Sequence, residues 1–263
     1  MDDRRVLVGT CGYSYAEWQG VFYPNDLRQK DFLRFYSLVF PFVELDFSWY
    51  AMPRAQTLEA MAEQTNPDFR FALKVHKSLT HEVTEQWPDR AEEFTKAATA
   101  LADAGKLSAV LIQLPYSFSY TAEHRAYLAD LCTALGSLPL VVEFRNDAWY
   151  LPRVYEELEK RKISMALLDR PDLEGLPPET TIMTSDLVYY RLHGRNSGEW
   201  WKGDATSRYD YDYSPKELDE RAHRIVALSK KAARVLVAFN NHAGGNAARN
   251  AKALTSLIRE LLA

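Results

Sequence analysis

The sequence predicts an α/β fold, a single (β/α)8 TIM-barrel domain over residues 1–263, and three observations predict it. Eight short runs rich in β-branched or aromatic residues recur along the chain, each bounded by turn residues. Most are followed by a stretch of helical periodicity, and this alternation specifies a parallel sheet. The length of 263 residues lies near the ~250 at which an eight-stranded barrel closes. No GxGxxG or Walker sequence argues for an open doubly wound sheet, and no Gly/Ser linker or low-complexity segment marks a second domain.

The strands are expected at residues 5–11, 42–48, 70–76, 108–115, 139–146, 163–169, 187–193 and 234–241. After the first, Leu33, Tyr36 and Phe40 share one helical face. Asp89 with Glu92 suits the capped start of the third helix. The seventh helix is the clearest: Ser214, Pro215 and Glu217 combine an N-cap hydroxyl, a proline at the first helical position and a capping-box carboxylate. Leu218, Ala222 and Ile225 make its buried stripe. Between the sixth and seventh strands, Pro171, Gly175, Pro177 and Pro178 break helical continuity, so an irregular segment shortens or replaces the sixth helix.

Composition narrows the function classes. With 47% hydrophobic and 26% charged residues the chain is of ordinary globular type. A formal net charge of -4 and a pI near 5.9 provide no global attraction to phosphate backbones or anionic lipid, which disfavours nucleic acid and membranes as partners. Cys11 and Cys132 are too few for a disulfide framework and lack metal-ligand spacing, which points to the reducing cytoplasm. Met1, Asp2, Asp3, Arg4 and Arg5 lead into a short apolar run unlike a secretory core, and no stretch approaches the ~18 apolar residues of a membrane span.

Side chains alternate along a strand, so polarity assigns the barrel-facing set. In Val141 to Arg145 the apolar Val142 and Phe144 suit the helix layer and turn Glu143 and Arg145 inward; Val188, Tyr190 and Leu192 likewise leave Arg191 and His193 inside. The same parity turns Glu44, Asp46, Lys74 and His76 inward, and the polarity test adds Gln113, Asp169 and Asn240. These groups sit toward the C-terminal ends of their strands, where active sites of this fold are built. Two duties are open to such a set: chemistry on a bound molecule, or an ion-pair network sealing the barrel end. Ionised groups gathered at one end carry a desolvation cost that a catalytic use would justify.

Trp18, Trp49, Trp87, Trp149, Trp200 and Trp201 all follow expected strands, with Tyr13, Tyr15, Tyr50, Tyr116, Phe118 and Tyr150 beside them. Rings at a loop face suit stacking on a sugar or base, and also serve as loop anchors. The long connection from Gly194 to Tyr213 is read as a substrate lid. Asn240, Asn241, His242, Ala243, Gly244, Gly245 and Asn246 run into the last helix, where barrels often seat a phosphate; with Lys74, Arg145 and Arg191 nearby this makes a seat for an anionic group. His76, His81, His193 and His242 lack HxH or HExxH spacing and have basic neighbours, so no metal or other cofactor is expected.

One stretch, Gly9-Thr10-Cys11-Gly12-Tyr13-Ser14-Tyr15 with Trp18 and Phe22-Tyr23-Pro24, resembles the opening of the domain-of-unknown-function 72 (YecE-like) proteins. The likeness continues through Val43-Glu44, Tyr50, Pro53, Lys74, Thr80-His81, Gln113-Leu114-Pro115, Glu143-Phe144-Arg145, Trp149, Arg191-Leu192-His193-Gly194 and Phe239-Asn240-Asn241 with Ala247 and Asn250. The resemblance implies a TIM barrel and supplies no substrate. Asp46, Trp49 and Tyr116 stand where its pattern has Asn, Phe and Pro.

The function expected is acid–base chemistry, of hydrolase, lyase or isomerase type, on a small polar substrate such as a sugar, polyol or nucleotide-like phosphate ester. Glu143 is the expected general base or acid and Glu44 the complementary carboxylate, with Lys74, Arg191 and His193 stabilising negative charge and His81 shuttling a proton. Arg145, Gln113, Asp169, Asn240, Asn241, Tyr13, Trp18, Tyr50 and Trp149 are the expected substrate contacts. The alternatives are a nucleic-acid module stacking bases on the aromatic loops and a small-ligand binding protein without turnover.

Overall fold

A computed structural model describes residues 5–263, and Met1 to Arg4 of the expected lead lie outside the described residues. Its strands are β1 (Val6–Cys11), β2 (Phe42–Leu45), β3 (Arg70–Lys74), β4 (Leu107–Gln113), β5 (Leu140–Glu143), β6 (Ser164–Met165), β7 (Leu167–Asp169), β8 (Leu187–Leu192) and β9 (Arg234–Phe239). All pair in parallel, in the order β6-β5-β4-β3-β2-β1-β9-β8-β7. β6 and β7 are the halves of the expected sixth strand. Ala166 N donates to Val142 O (2.9 Å), and from Leu167 onward the chain pairs with β8 instead. The sheet thus closes through a single residue into a nearly complete barrel.

Around it run α1 (Phe32–Val39), α2 (Phe47–Tyr50), α3 (Ala55–Glu63), α4 (Trp87–Asp103), α5 (Ala122–Ala134), α6 (Pro152–Lys160), α7 (Ala205–Arg208), α8 (Pro215–Ser229) and α9 (Asn246–Leu262). At α8, Ser214 and Glu217 form the expected capping box. α4 instead begins two residues before Asp89, with Gln86 at its N-cap and Pro88 in its first turn. Asp89 then lies in the first turn, where its charge favours the helix dipole without capping it. No helix lies between Asp169 and Leu187, as the prolines require.

Two apolar layers hold the barrel. Val43, Leu45, Phe71, Val142, Phe144 and Tyr190 pack outward against the helices, while Leu7, Phe42, Leu111, Val141, Tyr189 and Leu236 fill the interior. Burial of each such side chain is worth about 1.5–3 kcal/mol, which fixes strand parity firmly. The first helix is stitched to the sheet by one hydroxyl: Thr10 N donates to Tyr36 Oη (2.9 Å), which donates to Phe42 O (3.0 Å). There β1 and β2 approach so closely that a Cβ on Gly9 would lie 1.9 Å from Phe42 O.

The polar pairs on β2, β5 and β8 turn inward as their parity requires, and Asp169 is the exception. Ala166 and Leu168 belong to the interior layer, so Asp169 points to the helix side with Leu167. Polarity misleads at this position because the outer layer offers cations: Arg195 Nη2 lies 2.9 Å from Asp169 Oδ2, Arg221 Nε faces the same oxygen at 2.5 Å, and Tyr213 donates to Oδ1 (2.9 Å). Among the described residues no helix is long and apolar enough to cross a membrane.

Candidate functional site

At the C-terminal end of the barrel the inward polar groups form two layers, and the lower one is centred on Arg191. Its Nε donates to Glu44 Oε2 (3.0 Å), its Nη2 to Glu44 Oε1 (2.7 Å) and its Nη1 to Glu143 Oε2 (2.6 Å). Tyr189 adds a bond to Glu44 Oε2 (2.7 Å), and Cys11 Sγ lies 3.5 Å from Arg191 Nη2. Glu44 and Glu143 are both 0% exposed and Arg191 2%, so water reaches none of the three. Burial works against the Glu143 charge, yet Arg145 and Arg191 together hold its carboxyl well below the ordinary carboxylate range. Arg191, opposed by burial in turn, is held firmly charged by Glu143 and Glu44.

His193 completes this floor. Asn240 Nδ2 donates to its Nδ1 (3.0 Å), which assigns the ring proton to Nε2, 3.5 Å from Glu143 Oε1. Burial and the Arg145 charge push its pKa down to about 3, so the imidazole is neutral at physiological pH. Tyr209 stacks on it with ring centroids 5.6 Å apart, and Trp200 lies edge-on at 6.3 Å. The connection from Gly194 to Tyr213 therefore roofs His193.

Above the floor stand Asp46, Lys74, Arg145 and Tyr209. Lys74 Nζ lies 5.0 Å from the centre of the Trp49 ring and, among the described residues, has no hydrogen bond or ion pair. Burial and then Arg191 lower its pKa, while burial and then Glu44 raise that of Asp46. Each is shifted toward its uncharged form. Arg145 Nε faces Glu143 Oε1, and its Nη2 donates to Tyr209 Oη (3.4 Å). Burial acts to raise the Tyr209 pKa, but Arg145 and Arg191 overcome it and bring the phenol below its ordinary value. Among the described tyrosines whose titration is displaced, Tyr209 alone moves in that direction.

His81 sits at the rim, where Trp49 Nε1 donates to its Nδ1 (3.2 Å), and burial with the charges of Lys74 and Arg145 lowers its pKa to about 4. Tyr13 and Tyr50 face Asp46, whose charge raises both phenols after burial does. Gln113 pairs with Glu143 in register and donates through Nε2 to Leu114 O (2.8 Å). His76, expected to face inward, is taken up locally by Ser78, whose N donates to its Nδ1 (3.3 Å).

Other expected contacts lie away from the mouth. Asp169 is outside the barrel wall, for the reason given above. Trp18 is fully buried and donates to His242 O (2.9 Å), and Trp149 donates to Phe118 O (2.6 Å) while stacking on Phe144 (4.6 Å). Both indoles are loop anchors, because each has a backbone carbonyl and ring partners within the protein. Asn241 is fully buried and bonds Asn250 (2.7 Å) and Tyr211 O (2.8 Å), tying β9 to α9. The expected phosphate turn at Gly244–Gly245 lies under the loop after β1, where a Cβ on Gly245 would meet Val21 at 2.8 Å. Among the residues expected to carry chemistry, Arg191 is paired with both Glu44 and Glu143, and the His193 imidazole is buried and neutral.

Two participants, Tyr189 and the lid residue Tyr209, were not among the expected site residues. Tyr189 could have been found, because the parity that turns Arg191 inward turns it inward too. Tyr209 carries no local signal beyond the aromatic density of its loop.

Residues 7–262 match the model of a family described as "Protein of unknown function DUF72". The UPF0759 protein YunF of Bacillus subtilis (strain 168) is 31% identical over 269 residues, covering 96% of this chain and 94% of its own. A crystal structure of a DUF72 family protein from Thermotoga maritima superposes with a TM-score of 0.88 at 35% identity over 98% of each chain. Another from Enterococcus faecalis gives a TM-score of 0.87 at 26% identity, covering 97% of this chain and 95% of that one.

Proposed function

The chain belongs to the DUF72 family, and within that barrel we propose that the mouth is the active site of an enzyme using acid–base chemistry on a small polar substrate with an anionic group. The observation that supports this is the contrast between the two layers. In the floor every charge is matched and fixed. Above it, Lys74 has no ion pair among the described residues, and burial shifts both it and Asp46 toward their uncharged forms. Groups so displaced at the C-terminal end of a barrel are those a general acid or base requires.

In this reading Arg145, anchored by Glu143, and Lys74 hold the anionic group of a sugar, polyol or nucleotide-like substrate. Asp46 removes or returns a proton at the reacting carbon or oxygen. Tyr209, whose phenol Arg145 brings below its ordinary pKa, is its counterpart beside Arg145. Glu44, Glu143, Arg191 and His193 are positioning residues that keep Arg145 and the Tyr209 ring in place.

The test is a turnover screen by proton NMR against sugar phosphates, nucleoside monophosphates, sugar acids and neutral polyols. Asp46→Asn and Tyr209→Phe should each lower kcat by about 100-fold or more on any substrate found. Lys74→Met should act mainly through KM, and only for substrates that carry the anion. Undiminished kcat in both Asp46→Asn and Tyr209→Phe would end this assignment.

A further inference from the structure

On the helix side of β5, away from the mouth, a cavity of about 330 Å³ opens between α5 and α6. Its pit is apolar: Leu128 and Cys132 from α5 and Val154 from α6 stand over the stacked rings of Phe144 and Trp149. Its rim is cationic. The guanidinium carbons of Arg125 and Arg153 lie 5.1 and 4.8 Å from the centre of the single Tyr120 ring. Among the described residues neither arginine has an ion pair; Arg125 Nε donates to Thr121 O (3.4 Å). A third rim arginine, Arg161, is neutralised by Glu157 at 2.8 Å.

Two guanidinium groups without an ion pair among the described residues flank one ring, and an anion at that rim would gain charge-assisted partners while keeping the cation–π contacts. A bare anion has no use for the apolar pit, and a neutral hydrocarbon has none for the arginines. The volume lies at the small end of the ~300–1,000 Å³ of ligand pockets, which suits one short chain rather than a two-chain lipid. We propose that this cavity binds a monomeric amphipathic anion of the medium-chain carboxylate type, its head between Arg125 and Arg153 and its apolar body against Leu128, Phe144 and Trp149. The site is independent of the chemistry assigned to the mouth.

Titration of the whole protein with decanoate, followed by tryptophan fluorescence, tests this, with Trp149→Phe identifying the reporting ring. Saturable binding at one molecule per chain is expected below the micelle-forming concentration, with acetate and decanol each about tenfold weaker or more. The exposed double variant Arg125→Ala/Arg153→Ala should weaken decanoate about tenfold and leave decanol unchanged. Ala129→Trp, at the edge of the pit, should remove binding of both with no loss of Tm. Equal affinity for decanol and decanoate, an unaltered double variant, or a response only to micelles or to phosphatidylglycerol vesicles would overturn the proposal.

Discussion

Arg191 and Lys74 face the same barrel mouth with opposite energetic standing. Arg191 gives hydrogen bonds to two buried carboxylates, so Arg191→Met leaves Glu44 without a cation, with Tyr189 as its remaining donor, and takes one of two arginines from Glu143. Loss of one partner from such a network costs about 3–5 kcal/mol, which urea unfolding should report as a large drop in midpoint. Lys74 and Asp46 are the reverse case, because the folded state disfavours the charge on each. Lys74→Met and Asp46→Asn should leave stability unchanged or raise it by up to about 1 kcal/mol, roughly 2–4 °C in Tm, while turnover falls. A Tm loss as large as that of Arg191→Met would show that these two are structural. His193 predicts a pH dependence of stability. Its folded pKa is about 3 against an ordinary 6.5, so below pH 6.5 the unfolded chain takes up a proton that the native ring refuses. Stability is therefore present above that pH and is lost as pH falls, with the lowered Glu143 adding in the same direction at more acid pH. His193→Gln should make the fall shallower by about 1.4 kcal/mol per pH unit between pH 6 and 4 in urea midpoints converted to free energy.

At the scale of elements, β5 and the two residues that follow it show how one extended segment serves two faces. Glu143 and Arg145 face the mouth, while Phe144 between them makes the floor of the α5–α6 cavity, so a one-residue slip would exchange the two sites. Such slips are opposed where backbones approach closely. Gly9→Ala would drive a methyl into Phe42 O and should yield insoluble or thermally fragile protein, seen in expression and calorimetry. Local signals are worth less and are more separable. Ser214→Ala removes the N-cap of α8, where Glu217 N donates to Ser214 Oγ (3.3 Å), and should cost about 1 kcal/mol with the mouth untouched. Turnover that falls with this variant at a temperature where it stays folded would show that α8 reaches the site.

Across the whole molecule the ring is weakest at its sixth segment. β6 and β7 are short, change partners at Ala166, and are followed by chain without a helix until β8. That chain is held from outside by side chains: Glu179 accepts from Arg221 (3.3 Å) and from Arg224. Amides between residues 170 and 186 should therefore exchange hydrogen well ahead of those in β1 to β5, a difference native-state exchange can measure. Equal protection there would mean that the outer ion pairs brace the segment as firmly as a packed helix would.

The eight-unit barrel was legible in the sequence because hydrophobic periodicity and turn chemistry act over a few residues, and parity then placed Glu44, Glu143, Arg145, Arg191 and His193 inward. Parity says which wall a side chain leaves, not what it meets. The saturation of Arg191 by carboxylates from β2 and β5, the outward turn of Asp169 toward Arg195 and Arg221, and the placement of Tyr209 over His193 join residues far apart in the chain, Arg191 and Glu44 by 147 positions and Asp169 and Arg195 by 26, or residues separated by a long loop. Those encounters depend on strand tilt, on the switch of partners at Ala166 and on loop path, which are properties of the closed ring. The amino-acid sequence by itself determined the barrel and the polarity of its mouth; only tertiary structure decided which charges cancel and which stay available, because that depends on distances across the ring and on exclusion of water.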